Sequence, residues 1–202
     1  MTLPNQLTIF RIVLSPAFLF LFLQDDPLLK QFSLIVFIVA ALSDWYDGWL
    51  ARKFNYITEW GKFMDPLADK FLTSVGFLGL VFVGILELWM VIIIVVRDFG
   101  VTILRIYSDK KGIPFVTSYF AKWKTMIQMT FLYYLLILYI ADVTINLGTA
   151  HKNLFNILLN EHLVYFIMLF ITLITVYTGY VYVIKMFRIL QKFSNHEIKS
   201  DR

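Results

Sequence analysis

Long apolar stretches broken by short polar turns run the length of the chain. With about 20 apolar residues needed to cross a bilayer, the pattern predicts six helices, roughly residues 5–24, 30–52, 61–84, 87–107, 117–141 and 160–190. The breaks fall at Gln24-Asp25-Asp26-Pro27, at Asn55 to Trp60, at Gly84 to Glu87, at Ser108 to Pro114 and at Asp142 to Asn160. The last stretch exceeds one bilayer thickness, so its final turns, with Lys185, Arg188 and Lys192, are expected to emerge into water. The predicted fold class is an all-α integral membrane protein with six transmembrane helices.

Composition supports that class. Hydrophobic residues make up 59% of the chain and charged ones 16%, too apolar a balance for an ordinary soluble domain. Cysteine is absent, which excludes disulfides, thiolate ligands and thiol catalysis. The first apolar run has neither a basic start nor a small-x-small cleavage site, so it is not read as a cleavable signal. No linker or fixed-period repeat divides the chain, and one membrane domain over 1–202 is expected. Of the 18 Lys and Arg residues, all but Lys30 and Lys152 fall on the side shared by the two termini and the turns near 53–60 and 108–116. The positive-inside rule makes that side cytoplasmic, N- and C-termini included. The net charge of +4 follows from this membrane-flanking distribution; anionic lipid or phosphate, rather than nucleic acid, is the expected partner.

Charge in the wrong place points to chemistry. Between Asp44 and Asp69 lie four carboxylates next to apolar runs, where an ionised group costs roughly 2.5 kcal/mol or more at mid-bilayer. Asp44 and Asp47 are three apart and Asp65 and Asp69 four apart, so on helices each pair shares a face. Two such faces make an acidic cluster that would repel itself without a cation. Hard oxygen donors of this kind suit Mg²⁺ or Mn²⁺, and two ions are expected. Gly48 and Gly61 leave room for a ligand against the backbone, and Arg52 suits phosphate oxygens.

The eight positions Asp44, Asp47, Gly48, Ala51, Arg52, Gly61, Asp65 and Asp69 reproduce D-x-x-D-G-x-x-A-R-(x)8-G-x-x-x-D-x-x-x-D. In this the chain resembles the CDP-alcohol phosphatidyltransferase family. The resemblance implies that Asp44, Asp47, Asp65 and Asp69 hold the metal ions, that Asp69 is the general base, and that Gly48, Ala51, Arg52 and Gly61 bind the CDP-linked lipid.

Two further stretches resemble the family's phosphatidylglycerophosphate synthases. The opening Pro4-Asn5-Gln6-Leu7-Thr8-Ile9-Phe10-Arg11 fits P-N-x-[LIV]-T-x-x-R, which places Asn5 and Thr8 at the nucleotide pocket. Arg11, inside an apolar run, either snorkels to the interface or meets an anion. The second stretch is Arg97-Asp98, Arg105 and Lys122-x-Lys124-Thr125-x-x-Gln128, with Asp98 where Glu is usual and Ala121 where Gly is usual. Arg97 and Arg105, eight residues apart, share a helix face. With Lys122 and Lys124 they make a candidate acceptor-phosphate pocket over 97–128, and Asp98 is expected to orient one of the arginines. What the resemblance implies is transfer of a phosphatidyl group from CDP-diacylglycerol to sn-glycerol 3-phosphate in the cytoplasmic membrane, by an enzyme whose relatives are commonly homodimers.

Competing readings keep some of these residues and not others. A sister transferase using inositol phosphate, phosphatidylglycerol or serine would retain 44–69 and differ in the acceptor pocket. A cation channel or transporter would spread its acids along a pore, and a scaffold needs no cluster. His151, His162 and His196 have no clustered partners and are read as interfacial or solvated. Gly76 and Gly79 are read as sites of close helix approach.

Overall fold

The computed structural model describes residues 3–54, 59–111, 119–144, 155 and 157–200. The elements are helices α1 (Leu3–Phe22), α2 (Pro27–Phe54), α3 (Glu59–Phe82), α4 (Leu88–Lys110), α5 (Tyr119–Thr144) and α6 (Glu161–Ser200). Each coincides with one apolar stretch, and α6 continues past the expected end near 190.

The helix ends follow from local chemistry. Pro27 opens α2 where its missing N–H is no loss, and Asp26 Oδ1 accepts from the Leu28 N–H at 2.7 Å. Asn160 caps α6 in the same way, accepting from His162 N at 3.0 Å. The α3–α4 turn hinges on Gly84, whose φ of +79° strongly favours a residue without a Cβ. Around it Ile85 N donates to Leu80 O at 2.9 Å and Gly84 N to Val81 O at 2.9 Å, so α3 ends in a hydrogen-bonded left-handed cap.

Among the described residues four helices, α1, α2, α5 and α6, are long and apolar enough to cross a membrane. The six spans expected from the apolar pattern are therefore matched by six helices but by four such spans. In α3 the difference comes from Asp65, Asp69 and Lys70, and in α4 from Arg97, Asp98 and Arg105. These are the residues on which the candidate chemistry rests.

Packing divides the bundle into an apolar end and a polar end. α1 lies against α2 and α3, α4 against α3 and α6, and α5 against α2, α3 and α6. Near the α1–α2, α3–α4 and α5–α6 turns the interior is Phe18, Phe22, Phe37, Phe77, Leu80, Met90, Leu132 and Leu136. Gly76 and Gly79 let this core close: a Cβ on Gly79 would stand 3.0 Å from the Phe22 ring, and one on Gly76 3.1 Å from Phe37. At the opposite end the buried side chains turn polar: Thr8, Arg11, Asp47, Asp98, Lys124, Gln128 and Thr178. Outward faces keep Phe20, Ile35, Val96, Phe170 and Val183 exposed, a surface suited to lipid.

Candidate active site

Three helices build the acidic part of the polar end. Asp44 and Asp47 project from α2 toward α1, where Arg11 meets both: Nη1 lies 2.6 Å from Asp44 Oδ1 and Nη2 2.6 Å from Asp47 Oδ2. Arg11 is fully buried, so it does not snorkel; it meets anions. One turn earlier on the same face of α1, the buried Thr8 hydroxyl donates to Asp65 Oδ1 on α3. Asp44 is within electrostatic reach of Asp65 and Asp69, and Asp47 of Asp44 and Asp65, so the four carboxylates form one field. Among the described residues no three of them converge at metal-ligand spacing. Arg11 takes oxygens of Asp44 and Asp47, and Thr8 one of Asp65.

Asp69 belongs to this cluster and also to a cavity beside it. The cavity, of about 1220 Å³, is walled by α3, α4, α5 and α6 and lined by Asp69, Lys70, Arg97, Arg105, Lys110, Lys122 and Tyr182, among others. Lys70 Nζ pairs with Asp69 Oδ2 at 3.0 Å, so a cation stands between the carboxylate field and the basic wall. The cations of that wall differ in their surroundings. Arg105 and Lys122 are exposed, with Lys122 Nζ 6.0 Å from the Tyr119 ring. Arg97 is tied down by Asp98 at 2.9 Å and by Thr178 Oγ1 at 3.0 Å.

Lys124 stands apart from the other three cations. It is buried beneath the cavity, its Nζ donating to Asp98 Oδ1 at 2.6 Å, while Gln128 Nε2 donates to Asp98 Oδ2 at 3.1 Å. Asp98 thus collects Arg97, Lys124 and Gln128, and the arginine it orients is Arg97 rather than Arg105. A buried charge needs this degree of compensation, because an unpaired carboxylate in a low-dielectric interior would be strongly destabilising.

The remaining expected site residues occupy the same end. Asn5 lies three residues before Thr8 on α1, Gly48 directly follows Asp47, and Gly61 is buried one turn before Asp65. Ala51 and Arg52 are on α2, but their side chains lie outside the described residues, as do His151 and the side chain of His196; His162 is exposed at the start of α6. Lys70, Thr178 and Tyr182 were not singled out from the sequence. Lys70 follows Asp69 without any spacing signal of its own. Thr178 and Tyr182, four apart on a helix that also carries Thr172, Thr175 and several tyrosines, offered only that spacing.

The profile of the CDP-alcohol phosphatidyltransferase family matches residues 1–182. The chain belongs to that family. Among curated relatives, it is 38% identical over 139 residues to the CDP-diacylglycerol–glycerol-3-phosphate 3-phosphatidyltransferase of Bacillus subtilis (strain 168), covering 63% of this chain and 72% of the relative. The enzyme of the same name from Rickettsia bellii (strain RML369-C) is 32% identical over 176 residues, 87% of this chain and 92% of the relative. That from Wigglesworthia glossinidia brevipalpis is 36% identical over 141 residues, 67% and 77% of the two chains.

The donor set of this family member has the chemistry of a divalent-metal site, without its spacing among the described residues. Four carboxylates on two adjacent helices offer oxygen ligands only, the chemistry that Mg²⁺ and Mn²⁺ take. Arg11 is the cation that answers two of them.

Proposed function

We propose that this protein transfers the phosphatidyl group of CDP-diacylglycerol to sn-glycerol 3-phosphate, giving phosphatidylglycerophosphate and CMP. The observation that carries the reading is Asp69: it is at once a member of the four-carboxylate field and a wall residue of the basic cavity. A base in that position serves a hydroxyl whose phosphate is held by the cavity's cations. The relatives' names point to the same donor and acceptor.

Each residue then has a task. Asp44, Asp47, Asp65 and Asp69 would hold two Mg²⁺ or Mn²⁺ ions, which supply charge neutralisation on the donor's diphosphate. Asn5, Thr8, Gly48, Ala51, Arg52 and Gly61 border the space for the CDP moiety. Arg97, Arg105 and Lys122 face the acceptor's phosphate, and Lys124 contributes through Asp98 by holding Arg97 in place. Asp69 accepts the proton as the acceptor's free primary hydroxyl oxygen bonds to the lipid-bearing phosphorus. The phosphoanhydride bond breaks and CMP leaves with its electron pair. Positioning of two bound substrates provides much of the rate, since a carboxylate amid cations is a weak base.

The same reading completes the topology. α3 and α4 cross the membrane with the other four helices in a single domain, both termini and the cavity facing the cytoplasm of a multi-pass cytoplasmic-membrane protein. A homodimer belongs to this reading by family analogy.

The test is an assay of purified protein in detergent micelles with CDP-diacylglycerol and Mg²⁺, offering glycerol 3-phosphate, inositol phosphate, serine and phosphatidylglycerol in parallel. Phosphatidylglycerophosphate is expected with glycerol 3-phosphate alone. Asp65→Asn should release no CMP while remaining membrane-inserted, and Arg105→Ala should mainly raise KM for the acceptor. Normal turnover by Asp65→Asn would defeat the carboxylate assignment; product with another acceptor would defeat the reading of the basic wall.

A further inference from the structure

On one side Arg97 is held by residues that lie in none of the sequence motifs. Its Nη2 donates to Thr178 Oγ1 at 3.0 Å, and its guanidinium carbon lies 5.7 Å from the centre of the Tyr182 ring, both on α6. Its stem crosses the backbone of Gly179, where a Cβ would stand 3.0 Å from Arg97 Cγ and 3.8 Å from Nε. On the other side Nη1 meets Asp98 at 2.9 Å, and Asp98 is itself fixed by Lys124 and Gln128. The buried Nε has no hydrogen-bond partner among the described residues. The two terminal nitrogens therefore set where the guanidinium sits.

The direction of the Thr178 hydroxyl is also determined. Its hydrogen goes to the helix backbone, to Ile174 O at 2.9 Å or Thr175 O at 3.1 Å, which leaves a lone pair for Arg97. Threonine here acts as an acceptor of fixed direction. Gly179 beside it provides the clearance that lets the arginine stem lie flat on α6. Arg97 pinned at both ends cannot yield to an added methyl without losing one of its partners.

We propose that the Thr178-Gly179 step of α6 is a positioning device that sets the depth of Arg97 in the cavity and so tunes recognition of the acceptor's phosphate. The proposal rests on the reading of Arg97 as an acceptor-phosphate cation. Charge-assisted contacts to phosphate depend on the plane and reach of the guanidinium, and misplacing a binding group by about 1 Å can cost on the order of 100-fold in rate. Thr178 and Gly179 touch no substrate; they act through Arg97.

The experiment is steady-state kinetics of full-length Gly179→Ala, Thr178→Val and Thr178→Ser in detergent micelles, with each substrate varied separately. Gly179→Ala is expected to raise KM for glycerol 3-phosphate roughly tenfold while KM for CDP-diacylglycerol stays put, a shift smaller than full misplacement would give. Thr178→Val, which keeps the shape and removes the acceptor, should raise the same KM several-fold, on the order of one lost charge-assisted hydrogen bond. Thr178→Ser keeps the acceptor and should restore it. Equal changes in both KM values, accompanied by a lowered melting temperature, would mean a packing role only and overturn the proposal. So would an unchanged acceptor KM in Gly179→Ala. A wild-type protein that turns over CDP-diacylglycerol but not glycerol 3-phosphate would instead defeat the acceptor reading, and this proposal with it.

Discussion

Arg11 shows how one residue settles two questions at once. Its guanidinium is fully buried and lies 2.6 Å from a carboxylate oxygen of both Asp44 and Asp47. Asp47 is buried as well, so this half of the arrangement is a desolvated ion pair rather than a surface one. Removing one partner of such a pair strands the other charge and typically destabilises by about 3–5 kcal/mol. Arg11→Ala should therefore lower the melting temperature in micelles, and Arg11→Lys, with a point charge in place of a fork, should recover part of the loss. Stability within about 0.5 kcal/mol of wild type, the range of an ordinary surface change, would show that the pair does not hold α1 to α2. From the sequence, Arg11 was legible as a charge in need of an explanation. Its partners were not, because they lie on another helix 33 and 36 residues away, and one chain carries no signal of tertiary pairing.

Helices were the most legible feature, since an apolar run with polar ends specifies an α-helix in lipid almost by itself. The stretches 61–84 and 87–107 were read as transmembrane helices; the helices are present, but their charges keep α3 and α4 out of the four apolar enough to cross a membrane. How the helices meet was partly readable from Gly76 and Gly79, and the structure gives each a specific neighbour. Gly79 backs onto Phe22 of α1, and the ring is itself confined by Phe18 and Tyr139 at centroid distances of 5.4 Å. A side chain added there has no vacant volume to enter. Gly79→Leu should overpack the α1–α3 contact by about 1–3 kcal/mol. Because the clash lies at the apolar end, KM values for both substrates should remain near wild type in the protein that stays folded. Thermal unfolding compared with steady-state kinetics checks this, and an unchanged melting temperature would mean that α1 and α3 are not as closely packed as the structure has them.

The whole molecule is polarised, and that polarity explains why α3 and α4 look like poor membrane spans. In α3 the charges stop at Lys70 and residues 71–82 are uncharged; in α4 residues 88–96 are uncharged and the charges begin at Arg97. The two uncharged halves meet at the Gly84 turn, while the charged halves line the cavity among other helices rather than facing lipid. Ionisable groups in a membrane are tolerated in that setting. At 24 and 23 residues the two helices are each roughly 35 Å long at 1.5 Å per residue, enough for a hydrocarbon core of about 30 Å. With the termini cytoplasmic, as proposed, two topologies follow: six crossings, or four with α3 and α4 as a hairpin that stays on the cytoplasmic side. They agree on Asp25, outside, and on Lys111, inside, and differ at Glu87. Because the chain has no cysteine, single Asp25→Cys, Glu87→Cys and Lys111→Cys variants carry one thiol each. A membrane-impermeant maleimide added to intact cells should label Cys at 25 and at 87 and leave Cys at 111 unlabelled until the membrane is opened. Protection at 87 together with labelling at 25 would establish the four-crossing hairpin and move the cavity's apolar floor out of the bilayer.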